Sequence, residues 1–111
     1  MAQLQQASVR NRLLAALPPE DFGGLQPHLE PVSLELRHVL LEANAPMEHA
    51  YFLEQGIISA LADTSQGRIE VGLIGREGMV GVPVVLGADR SPHTFLVQAS
   101  GTALRIPSTS L

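Results

Sequence analysis

From Pro31 onward the chain alternates apolar and polar residues over short stretches, and this pattern constrains its fold more than any other feature. Val32, Leu34 and Leu36 are separated by polar residues, which is the two-residue period of a strand with one buried face. Similar apolar stretches follow at close intervals, over residues 39–41, 50–53, 57–61, 69–74, 94–99 and 103–106. Many short strands joined by glycine-containing turns predict a mainly β chain, folded as a small jelly-roll barrel.

The first thirty residues have a different period. Apolar residues recur there at helical spacing: Leu13, Leu14 and Leu17. Pro18 ends this predicted helix, because a proline disfavours helical geometry in the residue before it. Glu20 suits the first turn of a second short helix, which ends near Pro27. The sequence therefore predicts one domain, with a helical segment over residues 1–30 and a β-roll over residues 31–111.

Composition excludes several classes of protein. The 111 residues are 45% hydrophobic and 16% charged, which is typical of a folded domain with a core. The formal net charge is −4, so this stretch lacks the basic surface of a nucleic-acid-binding domain. Cysteine is absent, which excludes disulfides, cysteine-ligated zinc and iron–sulfur clusters. No apolar run approaches the ~20 residues of a membrane span, and no signal peptide is visible. We therefore expect a cytoplasmic location.

Residues 75–87, here called the cassette segment, interrupt the strand pattern. Gly81 followed by Pro83 is typical of the start of a helix, and Gly87 is typical of its end. We predict a short helix set into the barrel, with its free amide hydrogens facing a hollow. We expect three valines of this helix to lie in the core rather than to form the wall of a pocket: Val82, Val84 and Val85.

These segments resemble the N-terminal sensor domain of Crp/Fnr-type bacterial transcription regulators, which has the cyclic nucleotide-binding fold. Residues 11–18, 44–56 and 75–81 carry the resemblance, in the family's order. It implies a double-stranded β-helix (jelly-roll) barrel with short N-terminal helices and a short cassette helix. It also implies a cyclic nucleotide effector, cAMP or cGMP, and a homodimeric full-length protein. DNA would be bound through a C-terminal dimerisation helix and helix-turn-helix domain, so we expect the chain to be a fragment.

The resemblance also assigns the candidate site. In the family, a glutamate after the cassette glycine binds the ribose, and an arginine followed by a small hydroxyl residue binds the phosphate. Here Val82 occupies the place of the glutamate and cannot accept a hydrogen bond. His93 and Thr94 align with the arginine–hydroxyl pair, and Arg90 and Ser91 lie nearby. The candidate ligand-binding residues are therefore Gly78, Gly81, Val82, Pro83, Arg90, Ser91, His93 and Thr94.

Three functions remain open from the sequence. The first is an effector-sensing domain of a Crp/Fnr-like regulator, whose ligand is a cyclic nucleotide or another small anion. The second keeps the fold without a ligand, as a scaffold for dimerisation or protein interaction, and the substitution at Val82 favours it. The third is a cupin-like metalloenzyme, which needs histidines at ligand spacing. The four histidines lack such spacing, and we predict neither a metal site nor a catalytic residue: His28, His38, His49 and His93.

Overall fold

The structure is a computed structural model that describes residues 4–111, except for the side chains of Val84 and Val85. Its α-helices are α1 (Arg12–Ala16), α2 (Pro19–Leu25) and α3 (Val82–Val85), and single 3₁₀ turns cover Gln6–Ser8, Gln26–His28 and Ser108–Ser110. Its strands are β1 (Glu30–Leu34), β2 (Val39–Leu41), β3 (His49–Thr64), β4 (Gly67–Ile74), β5 (Met79–Val80) and β6 (Thr94–Pro107). The chain is therefore mainly β, with a few short helices, as the sequence predicts.

All the strand pairs are antiparallel. The sheet has six strands, of which four follow the order β1-β6-β3-β4, while β2 pairs with β6 and β5 pairs with β3. The predicted hairpin joins β3 to β4 through a turn between Thr64 and Gly67. The two long strands β3 and β6 thus form the centre of the roll, and the other four strands attach to them.

At two places the sequence predicts two short strands where the structure has one long strand. Residues 50–53 and 57–61 both belong to β3, and residues 94–99 and 103–106 both belong to β6. The glycines between them act as irregularities in a continuous ladder, which shifts register three times between Leu53 and Ile58. Gly56 has a φ of +98°, and a Cβ there would lie 2.6 Å from the carbonyl oxygen of Ala99. The strands bend at this crossing instead of ending.

The two faces of β3 contribute to two separate parts of the core. Ala50 and Phe52 lie beneath the N-terminal helices, in a cluster with Leu14 and Phe22. Leu53 belongs to the second cluster, inside the roll. Successive strand residues point to opposite faces, so one strand serves both clusters. Further members of the inner cluster are Leu34, Ile58, Val80, Phe95, Val97 and Ala103.

The N-terminal helices begin and end where the sequence predicts. Helix α1 ends before Pro18, and α2 starts with a proline in its first turn and two acidic residues after it. Two apolar predictions are wrong. Leu13 is 42% exposed, because α1 has only five residues and buries mainly Leu14. Leu36 is 58% exposed, because β1 ends at Leu34 and the chain turns there.

Within residues 4–111, no helix has the length and apolar character that a membrane span requires.

Candidate functional site

The cassette segment begins against strand β3. Gly81 is buried and has a φ of +121°, and a Cβ there would lie 2.8 Å from the Cβ of Ala50 and 3.1 Å from its Cα. The residue before it, Val80, pairs with Tyr51 of β3. Any side chain at position 81 would therefore force two strands apart, so glycine is required by packing as well as by conformation. Strand β5, which sequence reasoning missed, is the two-residue pairing that brings this glycine to β3.

Asn11 anchors the same region from the N-terminal side. Its side chain is wholly buried, and its Oδ1 accepts hydrogen bonds from the backbone amides of Leu13 and Leu14, each at 3.1 Å. Its Nδ2 donates to the carbonyl oxygens of Leu53 and Gly78, each at 2.8 Å. One amide side chain therefore joins α1, β3 and the turn before β5. Sequence reasoning gave Asn11 no role, although asparagine directly before an apolar helix is a strong capping signal.

Helix α3 leaves its first side chain exposed where the sequence analysis expected burial. Val82 is 50% exposed, so its expected place in the core is wrong, and the side chains of Val84 and Val85 lie outside the described part of the structure. The carbonyl oxygen of Pro83 accepts from the amide of Ala88 at 2.8 Å and closes the helix. The predicted short helix is present, but its first side chain points to solvent because the chain turns outward at Gly81.

The polar residues after α3 bond to the loop between β2 and β3, residues 42–48, here called the β2–β3 loop. The Arg90 Nη1 donates to the carbonyl oxygen of Asn44 at 2.8 Å, and the carbonyl of Ser91 accepts from the Asn44 amide at 2.7 Å. The buried Thr94 hydroxyl accepts from the amide of Ala43 at 3.1 Å. Asn44 has a φ of +64°, which confirms the predicted turn position. Arg90, Ser91 and Thr94 therefore lie together, around this loop.

His93 lies apart from that set of contacts. Its ring stands edge-on to the ring of Phe95, with centroids 6.5 Å apart, and its backbone amide donates to the Ser91 Oγ at 3.2 Å. The Ser91 side chain is itself buried, so its hydroxyl is used within the loop. The structure therefore places the two candidate hydroxyls in internal hydrogen bonds and leaves Arg90, about half exposed, as the candidate cation nearest to solvent.

A small cavity lies between the chain segment before α3 and the chain segment after it. Its volume is about 160 Å³, and its walls are Leu40, Leu41, Pro46, Glu48, His49 and Tyr51. Tyr51 pairs with Val80 of β5, and Pro46 forms a backbone bridge to Arg90, so the walls are attached to the chain on both sides of α3. The cavity is smaller than the ~300 Å³ at which pockets for drug-sized ligands begin. We call it the mouth cavity.

Sequence reasoning did not connect the residues that line the mouth cavity. It predicts Tyr51 and Phe52 as barrel core, and Phe52 is buried there, but Tyr51 is only half buried and forms part of the wall. The His49 ring lies 6.4 Å from the Tyr51 ring, centroid to centroid. His49 and Tyr51 are two residues apart on one strand, so their side chains lie on the same face. The two-residue period of a strand could therefore have predicted that these two rings lie together. The cavity thus combines aromatic walls with one carboxylate, Glu48.

One exposed ion pair lies beside the candidate site, between the Arg90 Nε and the Asp89 Oδ1 at 3.7 Å, and further ionic contacts lie elsewhere. The Arg68 Nε donates to the Asp63 Oδ1 at 2.8 Å, on the exposed β3–β4 hairpin. This bond lowers the pKa of Asp63 and raises the pKa of Arg68. Among residues 4–111 no group of three or more histidine, aspartate or glutamate side chains is arranged to hold a metal ion. The described site therefore offers hydrogen bonds and aromatic contacts rather than metal ligands.

The fold resembles solved structures of low sequence identity. The N-terminal domain of a transcriptional regulator from Streptomyces coelicolor A3(2) superposes with a TM-score of 0.76 and 19% identity, over 92% of this chain and 74% of that one. The regulatory domain of Toxoplasma gondii PKA, solved with cAMP, gives a TM-score of 0.80 and 14% identity, over 95% of this chain and 41% of that one. At these identities the likeness shows the fold alone.

Another similar structure is described as the regulatory subunit of a cAMP-independent protein kinase A from Trypanosoma brucei. It has a TM-score of 0.77 and 14% identity, over 88% of this chain and 36% of that one. No curated protein sequence matches the chain. The family profile described as "Cyclic nucleotide-binding domain" matches residues 31–111, which is most of the sequence. The chain therefore belongs to the cyclic nucleotide-binding domain family.

Proposed function

We propose that this chain is the effector-sensing domain of a Crp/Fnr-type transcription regulator, and that its effector is a cyclic nucleotide or another small anion held at the mouth cavity. The observation that carries the proposal is the attachment of the cavity walls to both sides of α3, through Tyr51–Val80 and Pro46–Arg90. A ligand between these walls would contact Tyr51 and Pro46, the residues that pair with the two chain segments flanking the helix. Binding would then change the position of α3, whose first side chain, Val82, is half exposed.

The proposed site assigns different tasks to the candidate residues. Gly81 lets the chain approach β3 closely, and the His49 and Tyr51 rings supply flat apolar contact for a base or another ring. Arg90 does not line the cavity but is bridged to its wall at Pro46. It would supply the positive charge by exchanging its exposed contacts with the Asn44 carbonyl and the Asp89 carboxylate for an anion. Val82 and Pro83 set the start of the helix and make no polar contact with the ligand. Ser91, His93 and Thr94 hold the loop in place.

We propose the rest of the regulator by the same resemblance. We keep the predicted division into a helical segment, residues 1–30, and a sensor roll, residues 31–111, with no catalytic role for either part; residues 1–3 lie outside the described structure and β1 begins at Glu30. The full-length protein is a homodimer in the cytoplasm, and it contacts DNA through a helix-turn-helix domain outside these 111 residues. A ligand would then shift the dimer between states of different DNA affinity by binding one of them more tightly.

A second function is favoured by specific contacts. The Thr94 hydroxyl and the Arg90 guanidinium are engaged within the chain, Val82 is exposed where a carboxylate would be needed, and the mouth cavity is small. These observations favour a ligand-free scaffold for dimerisation or protein interaction. The similar fold of a regulatory subunit described as cAMP-independent is consistent with such a role.

Isothermal titration with cAMP and cGMP distinguishes the two functions. We expect saturable heat with at least one of them, and a loss of about tenfold in affinity for Arg90→Ala, because a hydrogen bond to a charged group is removed. Arg12→Ala is the matched control, since this exposed arginine lies on α1, whereas Arg90 is bonded to the β2–β3 loop that forms part of the cavity wall. Absence of heat with both nucleotides would support the scaffold and contradict nucleotide sensing. An equal effect of both variants would contradict the assigned role of Arg90.

A further inference from the structure

A second cavity lies away from helix α3 and is lined by two arginines, Arg10 and Arg76. Its volume is about 340 Å³, which lies within the range of small-molecule pockets. It is formed where the N-terminal segment meets the bend in β3 and the turn before β5, and its walls are Arg10, Glu54, Gln55, Gly56, Arg76 and Ser100. None of these residues lines the mouth cavity. We call it the arginine cavity.

The backbone around the arginine cavity is fixed by hydrogen bonds. The Glu54 Oε2 accepts from the amides of Arg10 and Asn11, at 2.7 and 2.6 Å. The carbonyl oxygen of Arg76 accepts from the amide of Arg12 at 2.7 Å. These bonds use main-chain groups of the arginines, and among the described residues neither arginine side chain makes a hydrogen bond. The fold therefore fixes the backbone positions of both arginines.

The charges in the arginine cavity are unbalanced. Within residues 4–111, the ion pairs of the structure involve Arg68, Arg90 and Arg105, and neither guanidinium of this cavity takes part in one. Two arginines and one glutamate line the cavity, and the glutamate carboxylate already accepts two backbone hydrogen bonds. The lining thus has an excess positive charge in a chain whose formal net charge is −4. A pair of arginines in a cavity suits an oxyanion, because each fork can donate two parallel hydrogen bonds.

We infer that the arginine cavity is a binding site for a small oxyanion, a molecule that carries a phosphate or carboxylate group. Arg10 and Arg76 bind the anionic group from opposite sides, while the Gln55 amide and the Ser100 hydroxyl are available to its neutral part. The ligand joins the N-terminal segment to the turn before β5. This site does not depend on the proposed effector of the mouth cavity, since no lining residue is shared.

The test is a titration of the isotope-labelled 111-residue protein with inorganic pyrophosphate and, separately, with citrate, followed by amide chemical shifts at constant ionic strength. We expect saturable shifts at the amides of residues 10, 11, 54–56, 76 and 100 with at least one probe. Saturation by pyrophosphate alone assigns a phosphate ligand, and saturation by citrate alone assigns a carboxylate ligand. Saturation at these amides by neither probe overturns the proposal.

Variants distinguish binding in the arginine cavity from nonspecific electrostatic attraction of anions to the protein. Arg10→Ala and Arg76→Ala should each weaken binding about tenfold, because each removes a charge-assisted contact. Both keep the backbone hydrogen bonds described above, so the fold is preserved. Arg12→Ala is the matched control, as a neighbouring exposed arginine outside the cavity, and it should leave affinity within about twofold. An equal loss in all three variants, or no loss in the first two, overturns the assignment. Unchanged cAMP or cGMP titrations in Arg10→Ala and Arg76→Ala separate this result from the proposed function.

Discussion

Gly81 and Gly87 stand at the two ends of α3, and both have a positive φ, but their surroundings differ. A Cβ at Gly81 would collide with Ala50, whereas none of the atoms that the structure describes lies within 4 Å of a Cβ at Gly87. Glycine is required at position 81 by an adjacent strand and at position 87 by backbone conformation alone. The start of the cassette segment is therefore fixed by packing, and its end only by the local path of the chain.

Hydrogen bonds show the same contrast. The turn before β5 is bound to Asn11, which is wholly buried and uses both its donor and its acceptor atoms. The segment after α3 is bound to the β2–β3 loop at two places, the exposed pair of Arg90 and Asn44 and, further along, the buried Thr94 hydroxyl. Exposed hydrogen bonds open at a lower free-energy cost than buried ones. A ligand is therefore expected to move the end of this region and to leave its start in place.

The largest expected effect is at Asn11. Asn11→Ala removes the cap of α1 and leaves the carbonyls of Leu53 and Gly78 without their donor, so we expect a loss of about 4 kcal/mol in the free energy of unfolding. Urea unfolding followed by circular dichroism measures it. Asn44→Gly is the matched control on the other side of the comparison, because its positive φ suits glycine, and it should change stability by less than about 0.5 kcal/mol.

A further variant separates the two tasks of Asn11. Asn11→Ser keeps an oxygen that can cap α1 but has no amide to donate to the two carbonyls, so its loss should fall between those of the alanine variant and the native protein. If Asn11→Ala costs less than Asn44→Gly, the start of the cassette segment is not anchored in the way the contacts indicate.

Local sequence patterns predict most of the fold because they act over a few residues. The alternation at Val32 and Leu34, the proline at the end of α1 and the hairpin at Gly67 each correspond to an element of the structure. The joining of the predicted short strands into the long strands β3 and β6 could not be predicted in this way. It depends on Gly56 lying against Ala99, a contact between residues far apart in sequence, and a glycine in a sequence predicts a turn as readily as a bulge.

The candidate site is less predictable for the same reason. Thr94 and Arg90 have the chemistry of ligand-binding residues, but the amide of Ala43 and the carbonyl of Asn44 take up their hydrogen bonds. Those partners lie on another loop, and no residue type in the sequence indicates that pairing. Val82 is apolar yet exposed, because the chain turns outward at Gly81. The path of the backbone, rather than the residue type, decides which of these groups face a ligand.

The next largest effect tests the two glycines directly. Gly81→Ala should lower the free energy of unfolding by about 3 kcal/mol, from backbone strain and from the collision with Ala50, while Gly87→Ala should cost about 1 kcal/mol from strain alone. The double variant Gly81→Ala with Ala50→Gly removes the Cβ–Cβ contact and should recover part of the loss. Equal costs for the two single variants would show that packing does not distinguish the ends of α3.

The last prediction, with a smaller expected loss than Asn11→Ala or Gly81→Ala, tests the hydrogen bonds that hold the end of the region. Thr94→Val keeps the shape of a buried side chain but leaves the amide of Ala43 without an acceptor, so the expected loss is about 1.5 kcal/mol. Thr102→Val is the matched control on the same strand, because this side chain is exposed, and it should cost less than about 0.5 kcal/mol. Hydrogen exchange adds a local measurement, since the amide of Ala43 should exchange faster in Thr94→Val and the amide of Leu14, capped by Asn11, should not. Faster exchange at both amides would mean that the two ends of the region open together, and the contrast between them would then fail.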